Sequence, residues 1–432
     1  MKKIRSLFTR EYLPFTLMLA VNLGLLTLAF IISRPREVFD GFLRIIQSRS
    51  ILVTDYIEIG GIGAALLNVS IVGIAGVAML LRLGVKPNGL NIMALWMSIG
   101  FAFFGKNVFN MIPLTFGVWL FAKYCKMPFS HYYLSAMLVA TLSPVISEIA
   151  FLGMYSRPVE IIAGIILGFF VGFIFPVISA ESVRIHVGYN LYNMGFAGGI
   201  IATMLATLYK NLLGIDIEPA AYISGGNNLF FAVLLYSIAA ILLIIGLLTG
   251  FSKKDIKKNF SGFTKIHGHS GKLLTDFYDM YSNSIYINMS VLCVFATTLA
   301  LVLKAQLNGP VIAGILTMTG FGSLGKHIKN VLPVALGAVA SAYVNKEDPA
   351  ALNQIVAILF SSGLAPIAGM FGPLWGFIAG FLHVNIALYI GDLNGGMNLY
   401  NNGFAASFVV MFLLPIITAV KRDAYFTKDK YR

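Results

Sequence analysis

Apolar residues run in long unbroken stretches along this chain, interrupted by short polar clusters rather than alternating with them. A helix needs about 20 apolar residues to cross roughly 30 Å of hydrocarbon, whereas a membrane strand would alternate apolar and polar positions. In the first half such runs centre on 14–33, 60–81, 89–104, 107–122, 131–153, 160–179 and 190–208. In the second half they centre on 228–250, 283–303, 310–324, 330–345, 351–370, 373–390 and 398–420. The pattern predicts an all-α polytopic membrane protein with about seven apolar segments per half. Segments 89–122 and 310–345 are short and broken, and each reads either as two spans or as a re-entrant hairpin. The first run is too long for a cleavable signal peptide, and no small-residue cleavage site follows it.

The chain also matches itself. Asn190-Leu191-Tyr192-Asn193-Met194-Gly195-Phe196-Ala197 returns as Asn398-Leu399-Tyr400-Asn401-Asn402-Gly403-Phe404-Ala405. Gly105-Lys106, Asn110, Pro113 and Gly117 return at identical spacing as Gly325-Lys326, Asn330, Pro333 and Gly337. Asn88-Gly89, Thr54-Asp55, Asn68 and Pro144 have counterparts in Asn308-Gly309, Thr275-Asp276, Asn288 and Pro366. All matches are collinear, so the halves are homologous copies. The expected division is a terminus 1–13, a first repeat 14–215, a connecting loop 216–227, a second repeat 228–420 and a tail 421–432. The second repeat carries a basic loop at 251–282. With an odd number of crossings per half, the second copy enters from the opposite side, giving an inverted-topology repeat. In such proteins the solute site sits between the halves, near the midplane.

Charge sets the sidedness. Of the 432 residues 58% are hydrophobic and 11% charged, against about a quarter charged in a soluble domain, which excludes a soluble enzyme. Most of the 31 basic residues fall on one side if both termini are cytoplasmic, as positive retention requires. The net charge of +13 therefore reflects orientation rather than nucleic-acid binding. The loop 251–282 would meet anionic lipid headgroups, and segment 38–50 reads as a helix lying on the opposite surface. Cys125 and Cys293 give neither a disulfide framework nor a metal cluster. The Gly-x4-Gly-Lys strings ending at Lys106 and Lys326 are followed by Asn107 and His327 and lack a βαβ context, so they are not nucleotide loops. No cofactor is expected.

The candidate solute site is the pair of repeated motifs: Asn190, Tyr192, Asn193 and Gly195 with Asn398, Tyr400, Asn401, Asn402 and Gly403. Carboxamides in a bilayer need partners, so these residues either form a shared polar site or cap and pack helix ends. Lys106, Asn110, Lys326 and Asn330 stand between apolar runs as coupling or gating candidates, or as surface loop residues. Pro113 and Pro333 mark 105–117 and 325–337 as candidate broken elements. Glu148 is a one-sided candidate, since Met370 holds the matching place, and Asp392 precedes the second motif closely enough to join it. Asp55 and Asp276, duplicated at span approaches, read as helix caps with Thr54 and Thr275 ahead of the alternative of cation ligands. The Gly164, Gly168, Gly172 and Gly376, Gly380 series are packing faces.

The two Asn-Leu-Tyr-Asn-x-Gly-Phe segments, with the Gly-Lys-x3-Asn-x2-Pro element, resemble a family of bacterial multi-pass membrane proteins classed as domain of unknown function 1576. The resemblance covers nearly the whole chain and implies a bacterial inner-membrane location. It supplies no activity and no site residue. The repeat plan is similar to inverted-repeat secondary transporters at the level of fold alone. The leading expectation is a secondary-active transporter of a small polar or anionic solute, and not an enzyme, with membrane lipids and the solute or an ion as its partners. A homo-oligomer is compatible with it. The alternatives are a channel-like facilitator, a membrane-embedded enzyme and a scaffold.

Overall fold

A computed structural model describes residues 10–50, 54–214, 223–248 and 253–429. The N-terminal segment 1–9, most of the expected connecting loop and residues 430–432 of the tail lie outside the described residues. Among the described residues the chain is helical, and nine helices are long and apolar enough to cross a membrane. It is a membrane-embedded all-α protein.

The first half runs as α1 (Leu13–Ile32), α2 (Pro35–Ile46), α3 (Tyr56–Gly60), α4 (Ile62–Leu83), α5 (Gly89–Phe101), α6 (Val108–Tyr124), α7 (Tyr133–Leu138), α8 (Ser143–Ala150), α9 (Arg157–His186) and α10 (Asn193–Leu208). The second runs as α11 (Asn228–Leu248), α12 (Lys253–Ile266), α13 (Phe277–Tyr281), α14 (Ser284–Val302), α15 (Gly309–Gly320), α16 (Ile328–Val344), α17 (Leu352–Phe360), α18 (Ala365–Phe371), α19 (Pro373–Leu393) and α20 (Asn401–Asp429). The order is the same, so each element has its counterpart ten places on. Both α7–α8 and α17–α18 are single apolar spans split by a 3-10 turn, at Val139–Leu142 and Ser361–Leu364. Pro144 and Pro366 open the second piece of each, where a missing N–H costs nothing.

Contacts between loops give the direction of each span. On one face, Lys86 Nζ lies 2.9 Å from Glu11 Oε1, and the Tyr278 hydroxyl donates to the Glu11 carbonyl at 3.3 Å. The Glu11 carboxylate raises the proton affinity of Lys86. On the other face, the Ser224 N–H donates to Asp55 at 3.0 Å and the Gly226 N–H to Gln306 at 3.1 Å. The Glu11 face thus holds the start of α1 and the end of α11, and the Asp55 face holds the end of α1 and the start of α11. Helices α1 and α11 therefore run in opposite directions.

At the centre, α5 and α15 pack antiparallel. Gly89, opening α5, sits against the Ser323 carbonyl beyond the end of α15, and Gly309, opening α15, sits against the Phe103 carbonyl beyond the end of α5. Each start is capped twice. Asn88 accepts from the Asn91 N–H at 2.9 Å and Asn308 from the Val311 N–H at 3.2 Å. Asp276 then accepts from the Gly89 N–H at 2.8 Å, and Asp55 from the Gly309 N–H. Each half thereby supplies a carboxylate to the other half's central helix. Asp55 and Asp276 also cap α3 and α13. Because α5 is anchored at Asp276 and ends where Asp55 bridges Phe104, segment 89–104 passes from one face toward the other.

The glycine series lie where helices touch. Gly168 and Gly172 meet Pro113 and Leu114 of α6, and Gly380 meets the Val334 carbonyl of α16. Pro113 and Pro333 do not break their helices, contrary to the expected broken elements. The interruptions fall just ahead of them, at 102–107 and 321–327. Helix α2 is amphipathic, with Val38 and Ile45 buried and Phe39 and Leu43 exposed.

Candidate functional site

The two Asn-Leu-Tyr-Asn motifs meet at the centre of the molecule, each as an extended segment leading into a helix. Leu191 donates its N–H to the Gly363 carbonyl at 3.0 Å, inside the break of the second half's split span. Leu399 donates to the Thr141 carbonyl at 2.9 Å, inside the break of the first. Here α10 and α20 begin against one another: a Cβ on Gly195 would lie 2.5 Å from the Tyr400 carbonyl, and one on Gly403 would lie 2.7 Å from the Tyr192 carbonyl. Any side chain at either position would force the crossing apart.

Asn190 and Asn398 serve this crossing. Asn190 donates to the Gly403 carbonyl and the Ser407 hydroxyl, both at 2.8 Å, and accepts from the Tyr192 N–H. Asn398 donates to the Gly195 carbonyl at 3.0 Å and accepts from the Tyr400 N–H at 3.1 Å. These two are clamps between halves. Asn193 accepts from His186 Nε2 at 2.9 Å through its amide oxygen and donates to the Ser179 carbonyl through its amide nitrogen. Asn401 accepts from Asn394 at 2.6 Å, and Asn402 meets His383 Nε2 at 3.0 Å.

Lys326 is fully buried. Its Nζ bonds the Tyr192 hydroxyl and the Ser362 hydroxyl, the latter at 2.9 Å, and lies 4.3 Å and 4.5 Å from the ring centroids of Tyr192 and Phe321. Lys106 is also buried, at 3% exposure. Neither lysine is a surface loop charge. The copies differ here, since Ser362 has Ala140 at its matching position, and the Tyr400 hydroxyl is buried without a partner. The Tyr192 and Tyr400 rings lie 4.6 Å apart, tilted by 46°, within a ring cluster that includes Phe101, Phe321 and Phe360.

Asn110 and Asn330 are capping residues. Each accepts from the N-cap N–H of its own helix, Asn107 at 2.8 Å and His327 at 2.9 Å, and donates to the Gly105 or Gly325 carbonyl at 2.9 Å. Glu148 is fully buried and paired with Arg49, whose Nε lies 3.1 Å from Oε2. It stands away from the paired motifs, on the Asp55 side. In the loop after α12, His267 is held below its usual proton affinity by burial and bonds the Phe263 carbonyl at 3.0 Å.

Two clefts open on opposite faces, the smaller against the ring cluster and the larger against Phe104, which packs edge-on to Phe101. The one on the Asp55 face has a volume of about 450 Å³ and reaches Phe104, Gln354, Asn401 and Asn402, with Glu347 and Asp392 exposed at its mouth. The other encloses about 40 Å³ and reaches Asn193, Met194, Tyr192 and Tyr400, with Leu134 and Leu274 on its walls. They are counterparts under the repeat: Asn401-Asn402 matches Asn193-Met194, and Val356 and Leu134 stand at equal distances before Pro366 and Pro144. Gln354, which sequence reasoning missed, is 2% exposed, and its Oε1 lacks any protein partner. A lone glutamine in an apolar span was its only signal. Ser362 had none, lying in a turn that nothing but Pro366 announced.

No curated protein and no solved structure matches this chain. Residues 34–211 and 255–419, one segment in each half, match the family described as "Protein of unknown function (DUF1576)". That match takes in most of the chain, which therefore belongs to this family.

Proposed function

We propose that the protein is a secondary-active transporter of a small polar solute, working by alternating access. One observation carries the reading. Two repeat-related clefts lie on opposite faces, a large one of about 450 Å³ that reaches Phe104 and a small one of about 40 Å³ that reaches Tyr192, Tyr400 and Phe321. An inverted repeat makes such a pair interconvertible, because each half can adopt the packing now held by the other. The opposite run of α1 and α11 and the antiparallel α5–α15 pair support that inverted topology. The basic side chains of α12 and Lys86 gather on the Glu11 face, which makes that face cytoplasmic by positive retention. Both termini are then cytoplasmic, the membrane is the bacterial inner membrane and the larger cleft faces outward. The driving force is an ion gradient.

Cysteine accessibility tests this. In a background with Cys125 and Cys293 replaced, Leu388→Cys reports the outward cleft and Leu134→Cys the inward one. A membrane-impermeant maleimide from outside should label Leu388→Cys. Labelling of Leu134→Cys from inside should rise under conditions that protect Leu388→Cys. If the two sites never exchange accessibility, or open together as in a channel, alternating access is wrong.

A further inference from the structure

We infer that the outward cleft is a binding site for a small organic solute carrying an ammonium group, an inference that rests on the transport reading for its role but not for its chemistry. The turn after α16 and the exposed end of α19 place the carboxylates of Glu347 and Asp392 at its mouth. Neither carboxylate is paired with a cation, and no Lys, Arg or His lines the cleft among the described residues. Deeper in the cleft the Gln354 amide is 2% exposed, with its Oε1 accepting nothing from the protein. An orphaned acceptor at that depth is destabilising unless something fills it. A donor on a bound solute would.

The three acceptors favour a cation and oppose an anion, since the low-dielectric walls strengthen both effects. The oxygens of Asn401 and Asn402 are already engaged by Asn394 and His383, which leaves their amide nitrogens to meet an oxygen function on the same solute. Much of the remaining wall is apolar, including Phe104, Val356 and Leu388. The cleft lies within the ~300–1,000 Å³ range of small-molecule sites. Together these features describe an amine with a modest apolar body.

The test uses purified full-length protein in detergent and probes of similar size and apolar body that carry a positive, no or a negative charge: benzylamine, benzyl alcohol and benzoate, then butylamine, butanol and butyrate. A ligand that binds the native state raises its apparent melting temperature by mass action. The amines should raise it in a saturable way, the alcohols weakly and the carboxylates not at all. Gln354→Leu should weaken amine binding by about tenfold, the effect of ~1.4 kcal/mol. Asp392→Asn, at an exposed position that folding does not need, should do the same. The inference is overturned if the carboxylates stabilise as well as the amines. It is also overturned if amine stabilisation survives Asp392→Asn combined with Glu347→Gln, or if no probe stabilises up to its solubility limit. Proteoliposome flux separates the two readings. Saturable amine binding without flux removes transport and keeps the cation site, while saturable flux of a carboxylate keeps transport and removes the cation site.

Discussion

Asn190 and Asn398 hold the same crossing but do not hold it equally. Asn190 makes three hydrogen bonds, to Gly403, Ser407 and Tyr192, while Asn398 makes two, to Gly195 and Tyr400. Each buried bond contributes about 1 kcal/mol net. Asn190→Ala should therefore cost about 3 kcal/mol and Asn398→Ala about 2 kcal/mol. The two clamps sit on one helix crossing, so their effects should couple. Once one is lost the crossing loosens, and the double variant should cost less than the sum by at least ~0.5 kcal/mol. Denaturant titration in bicelles with SDS, followed by tryptophan fluorescence, measures all three variants on one scale. An Asn398→Ala cost equal to or above that of Asn190→Ala would refute the bond count as the source of the difference. Strict additivity would refute the shared crossing.

Other variants probe the remaining polar interior. Lys326→Met removes a buried amine that has no carboxylate partner and leaves Tyr192 and Ser362 bonded to each other at 3.0 Å, so melting temperature should hold or rise; a loss above ~2 kcal/mol would contradict this. Arg49→Ala strands the buried Glu148 carboxylate and should cost about 2 kcal/mol, discounted because Arg49 is half exposed. Adding Glu148→Gln should restore most of that loss, and failure of the rescue would locate the cost elsewhere. Asp276→Ala removes a helix cap and the bond to Gly89 and should cost about 2 kcal/mol by the same titration; a cost below ~0.5 kcal/mol would mean that water replaces the carboxylate.

Much of the fold was legible because a bilayer leaves few choices. Unbroken apolar runs specify spans, and paired Asn-Gly, Gly-Lys and Asn-Leu-Tyr-Asn strings specify the duplication. The roles of the paired polar residues were not legible, because capping and solute binding require the same side chains. Asn110 and Asn330 satisfy N-cap N–H groups, and Asn190 and Asn398 satisfy carbonyls across the halves. A carboxamide looks the same in sequence whichever partner it meets. Pro113 and Pro333 misled for a related reason. Each is the sixth residue of its helix, where it removes one i→i−4 donor, and the helix runs on through it because the neighbouring turns keep their bonds. Gln354 and Ser362 escaped notice because their importance comes from what the second half folds them against.

The exchange of carboxylates at α5 and α15 has a consequence for biosynthesis. When the first half has been inserted, the N–H of Gly89 still lacks its second-half acceptor, because Asp276 has yet to be translated. Asp55 likewise waits for Gly309. A helix-start donor buried without its acceptor is costly, so the first half leaves the ribosome with its central helix unfinished. Neither half, expressed alone, holds the parts that complete it; co-expressed as separate chains, the two contain every cap that the intact protein uses.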